Sequence, residues 1–480
     1  MKKLSDKYKN LPEEMKAALW YTVSNIGQKI APWLVMIILT HALSTQDYGV
    51  YSIFLSWLEI FEIMITLRIY SSGYIVGLVQ KDDNKNVYTA TMQTLSFLLI
   101  AIWLAIYLAF KKQINSFTEM NTITSVLMIV SFLGTVSFGL WSSRKRVDNK
   151  YRSMLVATIL YGVAGPIIGA LTVFLKLENP ILCVIAVRII IQLLIAIPFF
   201  VSNYRGAQSL WNKTFAKETI NYNLPLLPYY LSMVLLNHSD RLMIQKFSGY
   251  SDAAIYSVAY SAAMMIFTVS GALNLSLQAW LFKELKVNHK QDQTKLISIG
   301  TIIVAACCLI EIILAPEIII ILGGYKYLSA LWAMPPVVIS VLVMFIYQQY
   351  VNVLFYYKRT KLILVCSVFA ALCNIFLNAV FIPIYGFVAA GYTTFISYII
   401  VLILYSLIMR KVCKDNNIDH TCYFNTRIQL GVLIFSIIVS VLMMLLYEHA
   451  IVRYTVCAII VIIMVANKNK ILNVMKARNN

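Results

Sequence analysis

"LLNHSDRLMI", Leu235 to Ile244, sets five polar residues in a row, Asn237, His238, Ser239, Asp240 and Arg241. They fall inside a stretch, Tyr222 to Phe247, that otherwise reads as a membrane-crossing helix. A charged side chain at the centre of a bilayer costs about 2.5–3.5 kcal/mol on insertion scales. Two adjacent charges at that depth need partners that lipid does not supply. Adjacent residues on a helix point about 100° apart, so Asp240 and Arg241 do not face each other. Each must meet another helix, a water or a ligand, with the segment inside a bundle or beside a watery cavity.

The rest of the chain supplies such a bundle. Of its 480 residues, 60% are hydrophobic and 13% charged, where a soluble domain is about half apolar and a quarter charged. Apolar runs of about 20 residues, the length that crosses hydrocarbon as a helix, recur from end to end. Fourteen spans are expected, near residues 17–41, 50–79, 88–110, 120–142, 154–176, 180–201, 223–247, 253–281, 296–315, 328–356, 362–383, 386–409, 428–447 and 450–467. The first is too long and too polar in its middle for a cleaved signal peptide. The loops between spans are short, which leaves no room for a soluble catalytic domain. The eight cysteines are scattered without metal-like spacing and read as small packing residues. No G-x-x-x-x-G-K-[ST] occurs, so no nucleotide cofactor is expected, and no metal.

Lysine and arginine orient the chain. With the N-terminus inside, 30 basic residues fall on the cytoplasmic side, 6 on the other and 4 within spans. Both termini are therefore expected in the cytoplasm. The basic N-terminal tail reads as an anchor on anionic lipid rather than a nucleic-acid arm.

A faint internal repeat divides the chain. "STQDYGVYSIFLS" (44–56) opens the second span and "GYSDAAIYSVAYS" (249–261) the eighth. Asp47, Tyr51, Ser52 and Ser56 align with Asp252, Tyr256, Ser257 and Ser261 at one offset of 205. A parallel repeat of two like-oriented halves follows. The expected organisation is a basic tail (1–16), an N-terminal six-helix bundle (17–201), a cytoplasmic linker (202–222), a C-terminal six-helix bundle (223–409) and two appended helices (428–467).

The D-Y-G-V-Y turn, the N-x-S-D-R stretch and the second D-x-x-x-Y-S turn resemble the polysaccharide flippases, the Wzx-type transporters of O-antigen and capsule. That family belongs to the multidrug/oligosaccharidyl-lipid/polysaccharide exporter superfamily, and the resemblance covers the whole chain. It implies an all-α integral membrane protein whose two pseudo-symmetric six-helix bundles form a V-shaped central cavity. It also implies that an undecaprenyl-pyrophosphate-linked oligosaccharide crosses from the inner to the outer leaflet of the bacterial inner membrane. A polysaccharide polymerase and a chain-length regulator would then be partners, and the chain would not be an enzyme.

Four cations (Lys29, Arg68, Arg188, Arg241) and four carboxylates (Glu59, Glu62, Asp240, Glu311) are read within spans. Lys29 shares a polar stripe with Thr22, Asn25 and Trp33. Two readings stay open for it: contact with substrate, or an ion pair with Glu59 or Glu62. Glu59 and Glu62 share one face of the second span, read as one helix, and Arg68 lies on another. Asn237 is one turn before Arg241 on the same face. Cations suit a pyrophosphate because their hydrogen bonds to phosphate oxygens are charge-assisted. Lys29, Arg68, Arg241, Asn25 and Asn237 are therefore the candidate substrate ligands. "YQQYVNVLFYY" (347–357) adds Gln348 and Gln349, whose amides suit sugar hydroxyls. Glu59, Glu62 and Asp240 are candidates for ion coupling. His238, the one histidine placed inside a span, is a weaker proton candidate.

Two rival readings differ in class. A cation-coupled multidrug antiporter of the same superfamily is expected to have twelve spans and a carboxylate-rich site. A membrane glycosyltransferase or O-antigen polymerase needs a large outer loop with catalytic residues, and the outer loops here are short and electrically neutral.

Overall fold

The structure is a computed structural model that describes residues 30–148, 150–287 and 293–467. These are helical almost throughout, with no strand among them. The chain divides into two compact units with the boundary between Leu231 and Ser232.

The first unit contains α1 (Ile30–Ala42), α2 (Thr45–Thr66), α3 (Ser72–Gln80), α4 (Lys85–Ala109), α5 (Lys111–Thr118) and α6 (Thr122–Val147). Next come α7 (Tyr151–Ile159) and α8 (Gly165–Leu171), joined by a π turn at Leu160–Ala164, then α9 (Pro180–Tyr204) and α10 (Lys213–Asn223). Helix α6 is at its centre, packed on α2, α3, α4, α7 and α9. Helix α11 (Leu227–Ser248) starts in this unit and continues into the second.

The second unit adds α12 (Tyr250–Val287), α13 (Lys295–Ile313), α14 (Ala315–Gly323), α15 (Met334–Tyr356), α16 (Thr360–Tyr385), α17 (Phe387–Asp415), α18 (Thr426–Leu445) and α19 (Ala450–Ala466). Helix α15 is its axis. It packs on α12, α13, α17 and α18, and nearly all of its side chains are buried. Apolar residues cover most of α15, as expected of a helix with neighbours on nearly every side, and Gln349 and Asn352 are buried exceptions.

Eleven of the described helices are long and apolar enough to cross a membrane. Three other stretches read as spans are also helical. Ile30–Ala42 is described from residue 30 only, Leu227–Ser248 carries Asp240, Arg241 and Lys246, and Ala450–Ala466 has 17 residues. The chain is a multi-pass membrane protein.

The second span is not the single helix expected over 50–79. Leu67 and Arg68 both take left-handed backbone conformations, with φ of 50° and 48°, between α2 and α3. Such conformations cost non-glycine residues about 1–3 kcal/mol each and persist where packing over-determines them. Here Tyr70 supplies the packing. Its hydroxyl donates to the Glu62 carboxylate one helix back, and its backbone carbonyl accepts from Ser143 Oγ on α6 at 3.0 Å. Its ring lies against Gly139 of α6, where a Cβ would come within 2.6 Å of Cδ2. The residues 202–222, expected as a linker, contain α10, which is docked on this unit. Lys81 and Glu218 pair at 2.6 Å, and the Asn212 amide donates to Thr91 Oγ1 at 3.1 Å.

Candidate functional site

The polar run of α11 resolves into two different environments. Asp240 is fully buried, and all of its hydrogen bonds come from uncharged groups. Tyr256 of α12 donates to Oδ2 at 2.6 Å, Thr394 of α17 to Oδ2 at 2.7 Å, and Asn378 of α16 to Oδ1 at 2.6 Å. A second layer holds these donors in place. Asn374 donates to Thr394 Oγ1 at 3.1 Å and accepts from Ser239 Oγ at 2.9 Å, while Thr393 donates to Asn378 Oδ1. Four helices thus meet on one carboxylate, which two hydroxyls and one carboxamide N–H surround.

Arg241 takes the other environment. Its guanidinium lies 4.6 Å from the centre of the Tyr260 ring, a cation–π arrangement, and Nη1 is 3.5 Å from His238 Nδ1. Its buried Nε–H meets no acceptor among the described residues. Asn237 accepts a hydrogen bond from the Tyr260 hydroxyl at 3.1 Å, so Asn237 and Arg241 share that ring as well as a face of α11. His238 is buried beside them.

In the first unit, the break after α2 governs Arg68. The expectation that Arg68 projects from a continuous helix opposite Glu59 is corrected here, because Arg68 is not in a helix. Its guanidinium lies 5.4 Å from the Tyr230 ring centre and interacts electrostatically with the Glu62 carboxylate. Its Nε–H, too, is buried with no acceptor among the described residues. Glu62 is half-buried and tied to Tyr70, whereas Glu59 is exposed. Arg188 of α9 donates to the Tyr51 hydroxyl at 2.8 Å. Lys29 and Asn25 lie outside the described residues.

The amide-rich stretch of α15 turns toward α12. Gln349 is completely buried and donates to Asn274 Oδ1 at 2.9 Å. Asn352 donates to the same oxygen at 2.9 Å and accepts from Gln278 at 3.1 Å. This is an interhelical ladder of amides, so Gln349 is engaged by protein. Gln348 is half-buried and the amide oxygens of both glutamines meet no donor among the described residues. Glu311, read within the ninth span, is buried and one of its oxygens likewise meets no donor.

One buried charge escaped the reading of the sequence. Arg453 of α19, near the start of the last expected span and not among the charges read within spans, is 3% exposed. It grips Glu317 of α14 through two hydrogen bonds, at 2.9 and 2.8 Å, and donates to the Ile313 carbonyl at 2.7 Å. Its only sequence signal is a lone arginine in an apolar run of 17 residues.

Comparison with known proteins places the fold. A family model described as "Polysaccharide biosynthesis protein" matches residues 15–282. Protein 1 of the Lsg locus of Haemophilus influenzae is 23% identical over 376 residues, covering 74% of this chain and 88% of that protein. The lipid II flippase MurJ, in an inward closed conformation, superposes with a TM-score of 0.69 at 13% identity. That match covers 95% of this chain and 100% of the flippase. An inward-facing multidrug resistance transporter of the MATE family follows with 0.60 at 11% identity, over 81% of this chain and 96% of that one. The solved structures that share the fold are transporters, not enzymes. The chain belongs to the polysaccharide biosynthesis protein family.

Proposed function

We propose that the chain is a flippase. It carries undecaprenyl-pyrophosphate-linked oligosaccharide repeat units from the cytoplasmic to the outer leaflet of the bacterial inner membrane, by alternating access, for O-antigen, capsule or exopolysaccharide synthesis. The observation that carries the reading is the family match over 15–282 together with a flippase fold that covers 95% of the chain. The multidrug transporter covers 81%. The buried chemistry agrees with an anionic cargo. Arg68 and Arg241 each sit against a tyrosine ring and each keep a buried N–H without an acceptor among the described residues. A pyrophosphate oxygen would satisfy such a donor with a charge-assisted bond.

Lys29 and Asn25 are assigned to the same task from the sequence, and Asn237 and Gln348 to the glycan. Asp240 is the proposed ion-coupling group. Its buried carboxylate suits a proton, or a hard cation such as Na⁺ that would draw on the carboxylate and on the Tyr256 and Thr394 hydroxyl oxygens beside it. The excess of lysine and arginine on one side supports cytoplasmic termini, and a polymerase and a chain-length regulator would take over the glycan on the other side.

The test is purified protein in liposomes with a fluorescently tagged lipid-linked oligosaccharide on one leaflet. Transfer to the other leaflet is read by loss of protection from a membrane-impermeant quencher. Transfer well above that of protein-free liposomes is expected. A rate equal to protein-free liposomes, with the protein folded and correctly inserted, would overturn the proposal.

A further inference from the structure

Unit 1 carries an open groove of about 660 Å³ between α6, the α7–α8 segment and α9. Two irregularities shape it. The π turn at Leu160–Ala164 swings Tyr161 inward, where it stacks on Phe138 at 4.6 Å, and Pro198 interrupts the hydrogen-bond ladder of α9. With Tyr161 turned away, the exposed walls are left to Val156 and Leu160 on one side and Pro198 on the other, over a floor of buried Trp141, Ala157 and Phe199.

The groove is polar at one end only. Arg152 and Ser153, in the first turn of α7, line that end, and Trp141 lies beside it. Lys145 reaches the same place, its Nζ 5.5 Å from the centre of the Trp141 ring. Arg144, Arg146 and Lys150 belong to the same connection, against one acid, Asp148, so cations outnumber it there. Among the described residues no side chain caps the first-turn N–H groups of α7, which adds the partial positive charge of a helix start.

An apolar trough with a cationic mouth has the outline of an amphiphile with an acyl chain and an anionic head. Its volume lies in the range that encloses a ligand of small-molecule size. Basic pockets between membrane helices bind anionic head groups where the head satisfies the cations and the chain the trough. We infer that this groove is a binding site for an anionic phospholipid, its phosphate at Arg152 and Lys145 and one acyl chain along Val156, Leu160 and Pro198. The site is separate from Arg68, Arg241 and Asp240 and does not depend on the cargo proposed for them.

Trp141 provides a local reporter, since a bromine on an acyl chain quenches indole fluorescence by contact. The full chain is reconstituted with dibromo-phosphatidylglycerol or dibromo-phosphatidylcholine as a minor component. The Trp141 signal is the difference between the wild type and Trp141→Phe. Each basic group near an anionic surface favours binding by about fivefold. Half-quenching should therefore need several-fold less phosphatidylglycerol than phosphatidylcholine. Arg152→Gln should reduce that preference by about fivefold, and Val156→Phe, which narrows the trough at an exposed wall position, should abolish quenching by either lipid. Equal quenching by the two lipids would show ordinary boundary lipid and overturn the inference. So would displacement of the brominated lipid by a trace of undecaprenyl phosphate, which would give the groove to a prenyl chain. Quenching unchanged in both variants would overturn it as well.

Discussion

The Tyr256 hydroxyl donates to Asp240 Oδ2 at 2.6 Å, joining the first turns of α12 to the middle of α11. Its repeat partner, Tyr51, accepts from Arg188 at 2.8 Å. Arg188 moved by the same offset of 205 falls on Thr393, which donates to Asn378 within the Asp240 network. The two halves thus use one tyrosine position for opposite charges, an anion in the second and a cation in the first.

If Asp240 couples an ion, Asp240→Asn should abolish transport while leaving membrane protein levels near normal, since an amide can keep part of the network. Tyr256→Phe removes one of three donors and should cost about 1.5–3 kcal/mol, the usual range for a hydrogen bond to a charged group, with transport retained. The check pairs a transfer assay with thermal unfolding in detergent. Full transport by Asp240→Asn would reduce the residue to a packing role.

Arg68→Ala and Arg241→Ala should each stop export of glycan. Tyr260→Phe keeps the ring under Arg241 and removes the hydroxyl that reaches Asn237, so it should have a milder effect than Arg241→Ala. Lys29→Ala is expected to behave as Arg241→Ala does. The measurement is surface polysaccharide in cells that depend on the variant, with protein level in the membrane as control. Normal export by the alanine variants would show that these cations do not hold the cargo. Restoration of export in Lys29→Ala by a second change of Glu59 or Glu62 to glutamine would mark an ion pair instead.

Gly139→Val tests the break between α2 and α3. The Tyr70 ring occupies the space a side chain would take, and its near atoms belong to the stem of that ring rather than to a movable tip. Overpacking of this kind costs about 1–3 kcal/mol. The expected result is a lower unfolding temperature and weakened transport. Tyr70→Phe, which loses only the bond to Glu62, should unfold nearer the wild-type temperature. A Gly139→Val protein as stable as wild type would show that the ring relocates freely.

Most of the helices were legible because length and hydropathy alone dictate them, and the repeat followed from spacing. The break at Leu67 was not, since no glycine or proline marks it. What ends α2 is tertiary, a ring from three residues further on seated against α6. The surroundings of Asp240 were hidden for a related reason. A search for opposite charges finds Arg241, yet the carboxylate is satisfied by Tyr256, Asn378 and Thr394, neutral residues with many equals in the sequence. Gln349 read as a glycan contact because amides suit sugars; the same property makes it bond Asn274. Arg453 was not read among the embedded charges because it lies near the start of the last span, and its burial follows from its grip on Glu317.

That grip is pH-dependent. Hydrogen bonds from Arg453 hold the Glu317 carboxyl, in the connection between two spans, below the usual carboxylate range. A depressed carboxylate contributes stability above its unfolded value, here about 4.3, and loses it as pH falls through the lower folded value. Unfolding temperature should therefore drop on acidification below about pH 4.3, and Glu317→Gln should flatten the part of that drop which belongs to this pair. Arg453→Met should lose the same pH-dependent part while restoring apolar packing in α19. Identical acid profiles for wild type and Glu317→Gln would remove the pair from the stability of the C-terminal helices.

The driving force for export gives the sharpest test of the proposed mechanism. A bacterial cell is negative inside, and moving one elementary charge across is worth about 2.3 kcal/mol per 100 mV. An outward-moving pyrophosphate that keeps net charge on the carrier would be pushed by the potential alone. The emptied sites at Arg68 and Arg241, carrying positive charge, would be drawn back toward the inside by the same field. Asp240 alters that balance, because a cation bound there and carried inward in exchange for cargo would add to the charge moved, whereas one carried outward with the cargo would cancel part of it. The two effects separate in liposomes that hold the purified protein and its lipid-linked cargo, with equal pH and equal Na⁺ on both sides. A potassium potential set with valinomycin should accelerate transfer when it opposes retention of the anion and slow it when reversed. In Asp240→Asn, any transfer that remains should respond to the potential but no longer to an imposed pH or Na⁺ gradient. A rate indifferent to both the size and the sign of the potential would rule out electrogenic export and leave an ion gradient, or downhill flow of the cargo, as the source of the work.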